Sequence, residues 1–219
     1  MTPHKIIKSN RRTLSISVNE NAELIVRAPK RATNDQIKEF ITEKANWINN
    51  KQTLIRARLN DVKKEQNMHL YLGDLFPIKI AQTKDREIIF NGKEFITTTQ
   101  NKDALNLSLK SWYKKKFKEV AIPRLFYFAN KHNLKINQVR VKEQKTLWGS
   151  CSSKNNINLN YLLIMAPLKV IDYVIIHELV HTIHKNHSAN FWKSVESIMP
   201  NYDDARYWLK ENGYKLRNL

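Results

Sequence analysis

The sequence predicts an α+β protein, and three observations carry that reading. Short stretches at 12–18 and 24–28 alternate apolar and polar residues, the period of a half-buried strand. Longer stretches, at about 34–58 and 103–132, repeat apolar residues at spacings of three and four, the period of a helix, and 168–183 is apolar nearly all round, as a buried helix is. Asn91-Gly92 stands between two apolar runs, a strong hairpin signal.

In chain order, RTLSISV (12–18) and LIVRA (24–28) flank Asn19–Glu23 and predict a β-hairpin. Thr33 or Asn34 is placed to cap a helix reaching about residue 58, with Ile37, Phe40, Ile41, Ala45 and Ile48 on its buried face. A second strand region follows with HLYLG (69–73), LFPIKIAQ (75–82), REIIF (86–90) and EFITT (94–98). The helix at 103–132 buries Leu105, Leu109, Trp112, Tyr113 and Phe117, and Pro123 is expected to kink or divide it. INQVRVK (136–142), WGSCS (148–152) and INLNYLLI (157–164) predict three strands, the last two joined through Lys154-Asn155-Asn156. Pro167 suits the first turn of an apolar helix, and short helices at about 189–198 and 203–211 close the chain. These elements group as a β-rich region with one long helix over 1–100 and a second region over 101–219.

Composition narrows the class of function. With 42% apolar residues among 219, the chain can bury a normal core. No run of 18 apolar residues occurs, so no membrane span is expected, and the basic N-terminus lacks the apolar stretch of a secretory signal. Cys151 is the only cysteine, which rules out an intrachain disulfide framework and points to a cytoplasmic protein. A net charge of +18 makes contact with nucleic acid a candidate role, yet the excess is spread along the chain. Its densest stretch, Lys110, Lys114, Lys115, Lys116 and Lys118, reads first as a solvated helix face.

Chemistry concentrates in VIIHELVHTIHKNHSANFW (174–192). On a helix His177 and His181 lie about 40° apart in azimuth and about 6 Å apart along the axis, so their nitrogens can converge on one ion. Glu178 points elsewhere and can address a water on that ion as general base. A catalytic zinc takes three protein ligands, and the third is His184 or His187. On a continuing helix His184 lies about 4.5 Å beyond His181 and must bend back. If Lys185-Asn186 ends the helix, the chain can return His187 to the metal, which favours His187. The apolar surroundings support a metal, because two histidines and a glutamate buried unpaired would cost several kcal/mol.

KTLWGSCS (145–152), INLNYLLIMAP (157–167), IDYVIIHELVHTIHKNHSANFW (171–192) and the late Arg206 with Trp208-Leu209 resemble the YgjP-like metallopeptidase domain (DUF45) family. The hairpin ending in Arg27-Ala28-Pro29 and the helix with Trp47-Ile48 are similar to it too. The family is related to the SprT-like and Wss1-like zincins. The resemblance implies a zincin-like fold over 101–219, zinc held by His177, His181 and His187, Glu178 as catalytic base, and a protein or peptide substrate. Relatives that act on proteins at DNA make a DNA-associated protease one alternative, and a non-catalytic zinc protein is another. The family commonly shows Arg where this chain has Leu147. The spacing from His177 to His187 also matches metzincins, whose glycine is here His184, and Met199 lacks the pattern of their Met-turn.

Four further expectations concern the surroundings. Cys151 reads as a small buried hydrophobe. Trp148, Phe191, Trp192 and Trp208 read as core. Gly149 and Ser150 lie where a strand could pair with an extended substrate, so Gly149→Val is expected to impair cleavage and leave zinc bound. Tyr161, Tyr173 and Tyr202 are candidate oxyanion stabilisers, with nothing in the sequence to choose among them.

Overall fold

The computed structural model describes residues 2–64, 68–81 and 88–217, and Gln82, Arg86 and Glu87 of the expected strands lie outside them. The chain forms two compact units, Met1–Gln66 and Asn67–Leu219. The strands over 68–97, grouped by sequence with the N-terminal region, belong to the second unit. Within each unit the class is mixed α and β, as the patterning implies.

In the first unit, β2 (Ser15–Val18) and β3 (Leu24–Pro29) form the expected antiparallel hairpin, with Val18 opposite Leu24. Asn19 holds the turn by accepting from the backbone N–H groups of Asn21 and Glu23. A third strand, β1 (Lys5–Ser9), pairs parallel to β3 and was not visible in the sequence, because its KIIKS is exposed at four of five positions. The expected single helix is two: α1 (Asn34–Glu43) and α2 (Ala45–Lys64), separated at Lys44. Ile37, Ile41 and Ile48 are buried against Leu24, Val26 and Ala28, whereas Phe40 and Ala45 are only half-buried. The break at Lys44 turns the apolar stripe before it is complete.

Thr33 caps α1 through a full capping box: its hydroxyl accepts from Gln36 N–H at 3.2 Å, and Gln36 Oε1 accepts from Thr33 N–H at 3.0 Å. Thr33→Ala removes one of these bonds and should cost about 1 kcal/mol. A denaturation midpoint unchanged by that substitution would show that the box adds nothing to the unit.

The second unit is built around α3 (Lys102–Lys131), one continuous helix with Pro123 inside it. Proline removes only one donor, and the helix is held on both sides of it by Phe117, Ala121, Leu125 and Ala129, all buried in the core. Packing therefore keeps together what the local rule would divide. Against α3 lie a 3-10 turn at Tyr161–Met165 and α4 (Leu168–Val180). The 3-10 turn replaces the second half of the strand expected over 157–164. Asn160 causes the switch by accepting from Leu162 N–H while its own side chain donates to the carbonyls of Gln144 and Leu147. Arg124 of α3 and Asp172 of α4 form a two-bond ion pair at 2.5 and 2.6 Å.

Two sheets flank these helices. One has the order β4-β5-β7-β6, from β4 (Met68–Tyr71), β5 (Asp74–Ile80), β6 (Ile89–Phe90) and β7 (Phe95–Thr97). The Asn91-Gly92 hairpin joins β6 to β7 as expected, with Asn91 Oδ1 accepting from Lys93 and Glu94 N–H. The other sheet has the order β8-β10-β9, from β8 (Gln138–Lys142), β9 (Gly149–Cys151) and β10 (Asn156–Asn160). Here β10 is central, parallel to β8 and antiparallel to β9, which leaves β9 as a short edge strand beside α4. Then α5 (Ala189–Ile198) and α6 (Tyr202–Asn212) pack on α4. Among the described residues no helix is long and apolar enough to cross a membrane.

Candidate metal centre

Helix α4 is apolar on nearly every side, and nine of its thirteen residues are buried, Glu178 among them. It ends earlier than the sequence reading placed it. Val180 is its last residue and His181 its C-cap, four residues before Lys185-Asn186. The chain then tightens into turns in which His184 N–H donates to Val180 O and Thr182 Oγ1 donates to Leu179 O. His177 and His181 thus occupy the last helical turn, and residues 182–186 bring His187 back just ahead of α5. Lys185 fastens this return to the β9–β10 turn, donating to Asn155 Oδ1 at 2.6 Å and to Ser152 O at 3.3 Å.

One ring nitrogen from each of His177, His181 and His187 lies within 4.8 Å of the others. His177 Nε2 and His187 Nε2 are 3.1 Å apart, close to the separation of about 3.4 Å between two nitrogens at 2.0–2.1 Å from a tetrahedral ion. Each ring nitrogen of a neutral imidazole either donates or accepts, so at that distance the pair can share one hydrogen bond or turn both lone pairs to a common cation. His181 is oriented by its other nitrogen, which meets the backbone carbonyl of His184 at 2.9 Å and leaves Nε2 for the cluster. The three rings rest on Phe191, fully buried, at centroid distances of 4.5 to 4.9 Å. Phe191 is core, as expected, and it also fixes the rings.

Electrostatics favour the neutral, ligating form. Burial, with His181, His187 and Arg206 nearby, pushes His177 down to about 3, and burial also lowers His181. His177 Nδ1 is buried without a hydrogen-bond partner, so protonating this ring would place an unsatisfied charge inside the protein. These three side chains therefore fit a metal ion. His184, the rejected third ligand, is engaged elsewhere: its Nε2 meets Ser194 Oγ at 3.2 Å. Its backbone carbonyl is what matters to the centre, a role no side-chain pattern could reveal.

Glu178 sits beside the cluster, 5% exposed, and burial pushes its carboxyl up to about 8. It lies against Gly149 of β9, where a Cβ would come within 2.6 Å of both Cγ and Oε1 of Glu178. Gly149 is thus required by the glutamate itself, a reason nearer than the substrate access suggested by the sequence. Cys151, two residues on, is half-buried, more open than expected.

A second layer of aromatic residues borders the centre. Trp192 stacks on His187 at 5.7 Å and on Tyr202 at 5.4 Å, and Tyr202 stacks on Tyr173 at 6.3 Å. Arg206 covers Trp192 at 4.7 Å. Of the candidate oxyanion tyrosines, Tyr161 is engaged by Glu143 Oε2 at 3.1 Å, Tyr173 lies beside His177 at a ring-centroid distance of 5.8 Å, and Tyr202 stacks on Trp192 and Tyr173. Trp148, just before β9, is half-buried, and Arg217 covers it at 4.2 Å. The neighbouring Leu147, where the family commonly shows Arg, is 49% exposed.

Residues 12–212 match the YgjP-like metallopeptidase domain. The chain belongs to that family. No curated protein matches it. Among solved structures, it is similar to the metallopeptidase zymogen abylysin of Pyrococcus abyssi, with 23% identity over 41% of this chain and 93% of that one, at a TM-score of 0.37. The corresponding zymogen jannalysin of Methanocaldococcus jannaschii gives 20% identity over 44% of this chain and 95% of that one, at a TM-score of 0.36.

Proposed function

We propose that this YgjP-like family member is a zinc-dependent peptidase in which His177, His181 and His187 hold the ion and Glu178 is the general base. The observation that carries the reading is the convergence of three imidazole nitrogens beside a buried carboxylate. Three neutral imidazoles with a fourth position open suit zinc in its catalytic form. Among the described residues no fourth His, Cys, Asp or Glu joins the group, which favours this reading over a purely structural site.

Zinc, when bound, supplies Lewis-acid polarisation of the scissile carbonyl and lowers the pKa of a water ligand. The protein's own groups do the rest. A carboxylate Oε of Glu178 accepts the proton of the attacking water and returns it to the leaving amine. Gly149 holds Glu178 in place by offering no side chain, and β9 presents an unpaired edge beside it to an extended substrate backbone. Tyr173 and Tyr202 are the candidates for stabilising the oxyanion. The substrate is a protein or peptide, and a chain with a single cysteine suits a reducing cytoplasm.

The test is chelation followed by reconstitution on a fluorogenic peptide library. Stripping the ion should abolish cleavage, and one equivalent of zinc should restore it. The same titration should raise the melting temperature, since free zinc at a hundred times its Kd stabilises the folded state by about 2.7 kcal/mol. Cleavage that survives stripping would contradict the proposal.

A further inference from the structure

Arg206 carries part of the family resemblance, yet it neither holds the metal nor moves the proton. It stands one helical turn after Tyr202 on α6, and both side chains meet Trp192 of α5. The same indole stacks on His187 at 5.7 Å and lies 5.9 Å from His177. With the guanidinium carbon 4.7 Å from the indole, its distance from the His187 ring is at most about 10.4 Å, the length of about three residues of extended chain. Burial dominates the ionisation of both His177 and Tyr173, and the charge of Arg206 acts on each of them as well.

The guanidinium is held in place but weakly engaged. Stacking on an aromatic face restrains its plane and spares the donors along its edge. Among the described residues its carboxylate partner is Asp203, reached by Nη1 alone at 3.5 Å, the limit of a hydrogen bond. Asp203 is 73% exposed and three residues back on the same helix, so the pair contributes little. Lys185, whose charge bears on His181, is by contrast tied to Asn155 Oδ1 and to the carbonyl of Ser152. Arg206 therefore sets a planar fork of donors beside the metal centre with no firm acceptor. A clamp on Trp192 would use only the flat face of that fork.

We propose, resting on the peptidase reading of the centre, that Arg206 receives a carboxylate of the substrate and so selects peptides carrying one within about three residues of the scissile bond. The carboxylate is the C-terminal one or that of an Asp or Glu side chain, since both offer the fork the same pair of oxygens. Two parallel N–H to O bonds would replace the long contact to Asp203. Glu178 and the metal act on the scissile bond, whereas Arg206 chooses and places the chain that brings it. The net charge of +18 attracts any acidic peptide, so a preference counts only where it depends on this one side chain.

The experiment reads binding first and cleavage second. Three fluorescein-labelled peptide pools share the same neutral residues: one is amidated, one has a free C-terminal carboxylate, and one is amidated with a single Glu. Anisotropy gives their affinities for the full-length Glu178→Gln chain, which should leave them uncut. One carboxylate pool should bind about five- to tenfold more tightly than the neutral pool, and which one it is identifies the source. Adding Arg206→Gln should remove most of that preference, and Arg206→Lys should keep part of it. Lys193→Gln, an equal loss of charge on α5, should leave it intact. In the chain that keeps Glu178, Arg206→Gln should raise KM for the preferred pool and leave kcat on the neutral pool nearly unchanged. No preference, one that survives Arg206→Gln, or one lost equally in Lys193→Gln would overturn the proposal. So would a uniform fall in kcat with loss of metal, which would make Arg206 a support for Trp192 and His187. A preference that depends on Arg206 in a chain that cuts no peptide would remove the peptidase reading and leave this site standing. Cleavage without any preference would do the reverse.

Discussion

Glu178→Gln is expected to retain its metal and to lose about two to four orders of magnitude in kcat, the range for removing a general base. The side chains are nearly isosteric, so Gln fits the space against Gly149 and the histidine cluster keeps its geometry. Only the capacity to take a proton disappears. Burial already raises the Glu178 carboxyl to about 8, and a bound dication pulls it back towards neutrality, where a base works best. Metal analysis and peptide cleavage on the same preparation separate the outcomes. Retained metal with unchanged cleavage would remove Glu178 from the mechanism.

The second large effect is expected at Gly149. A single methyl there would lie 2.6 Å from Cγ and Oε1 of Glu178, inside any normal contact distance. Gly149→Ala must therefore displace the carboxylate, and a shift of about 1 Å in a catalytic group can cost about a hundredfold in rate. The three atoms nearest that methyl all belong to Glu178, so metal content should stay at one equivalent. Gly149→Val should be worse in the same direction. If Gly149→Ala kept full activity with metal bound, Glu178 would not need the position in which β9 holds it. A loss of metal would mean that β9 supports the histidines rather than the glutamate.

The elements that were legible in the sequence are those whose local signals agree with their packing. The hairpin at 15–29, the Asn91-Gly92 turn and the apolar face of α3 belong to this kind. Where tertiary packing overrode a local rule, the reading failed. Pro123 stays inside one helix because the core holds both sides of it, and residues 161–165 leave the strand because Asn160 turns the chain. Strand β1 was invisible for the opposite reason: its exposed residues carry no alternation, and only pairing with β3 makes it a strand.

In the centre, the helical spacing of His177 and His181 and the return of His187 were readable from chemistry. The place of the turn was not. It was expected at Lys185-Asn186, and α4 instead ends at Val180, where the carbonyl of His184 is needed to orient His181. The contact of Gly149 with Glu178 was equally hidden, because it joins residues 29 positions apart and involves a side chain that is absent.

The central claim is that His177, His181 and His187, and not His184, hold one ion. Metal content measured by mass spectrometry on wild type, His187→Ala and His184→Ala tests it most directly. The account predicts one equivalent in wild type and in His184→Ala, whose orienting carbonyl survives the substitution, and a large loss in His187→Ala. A full equivalent in His187→Ala, or its loss in His184→Ala with the fold intact, would contradict it.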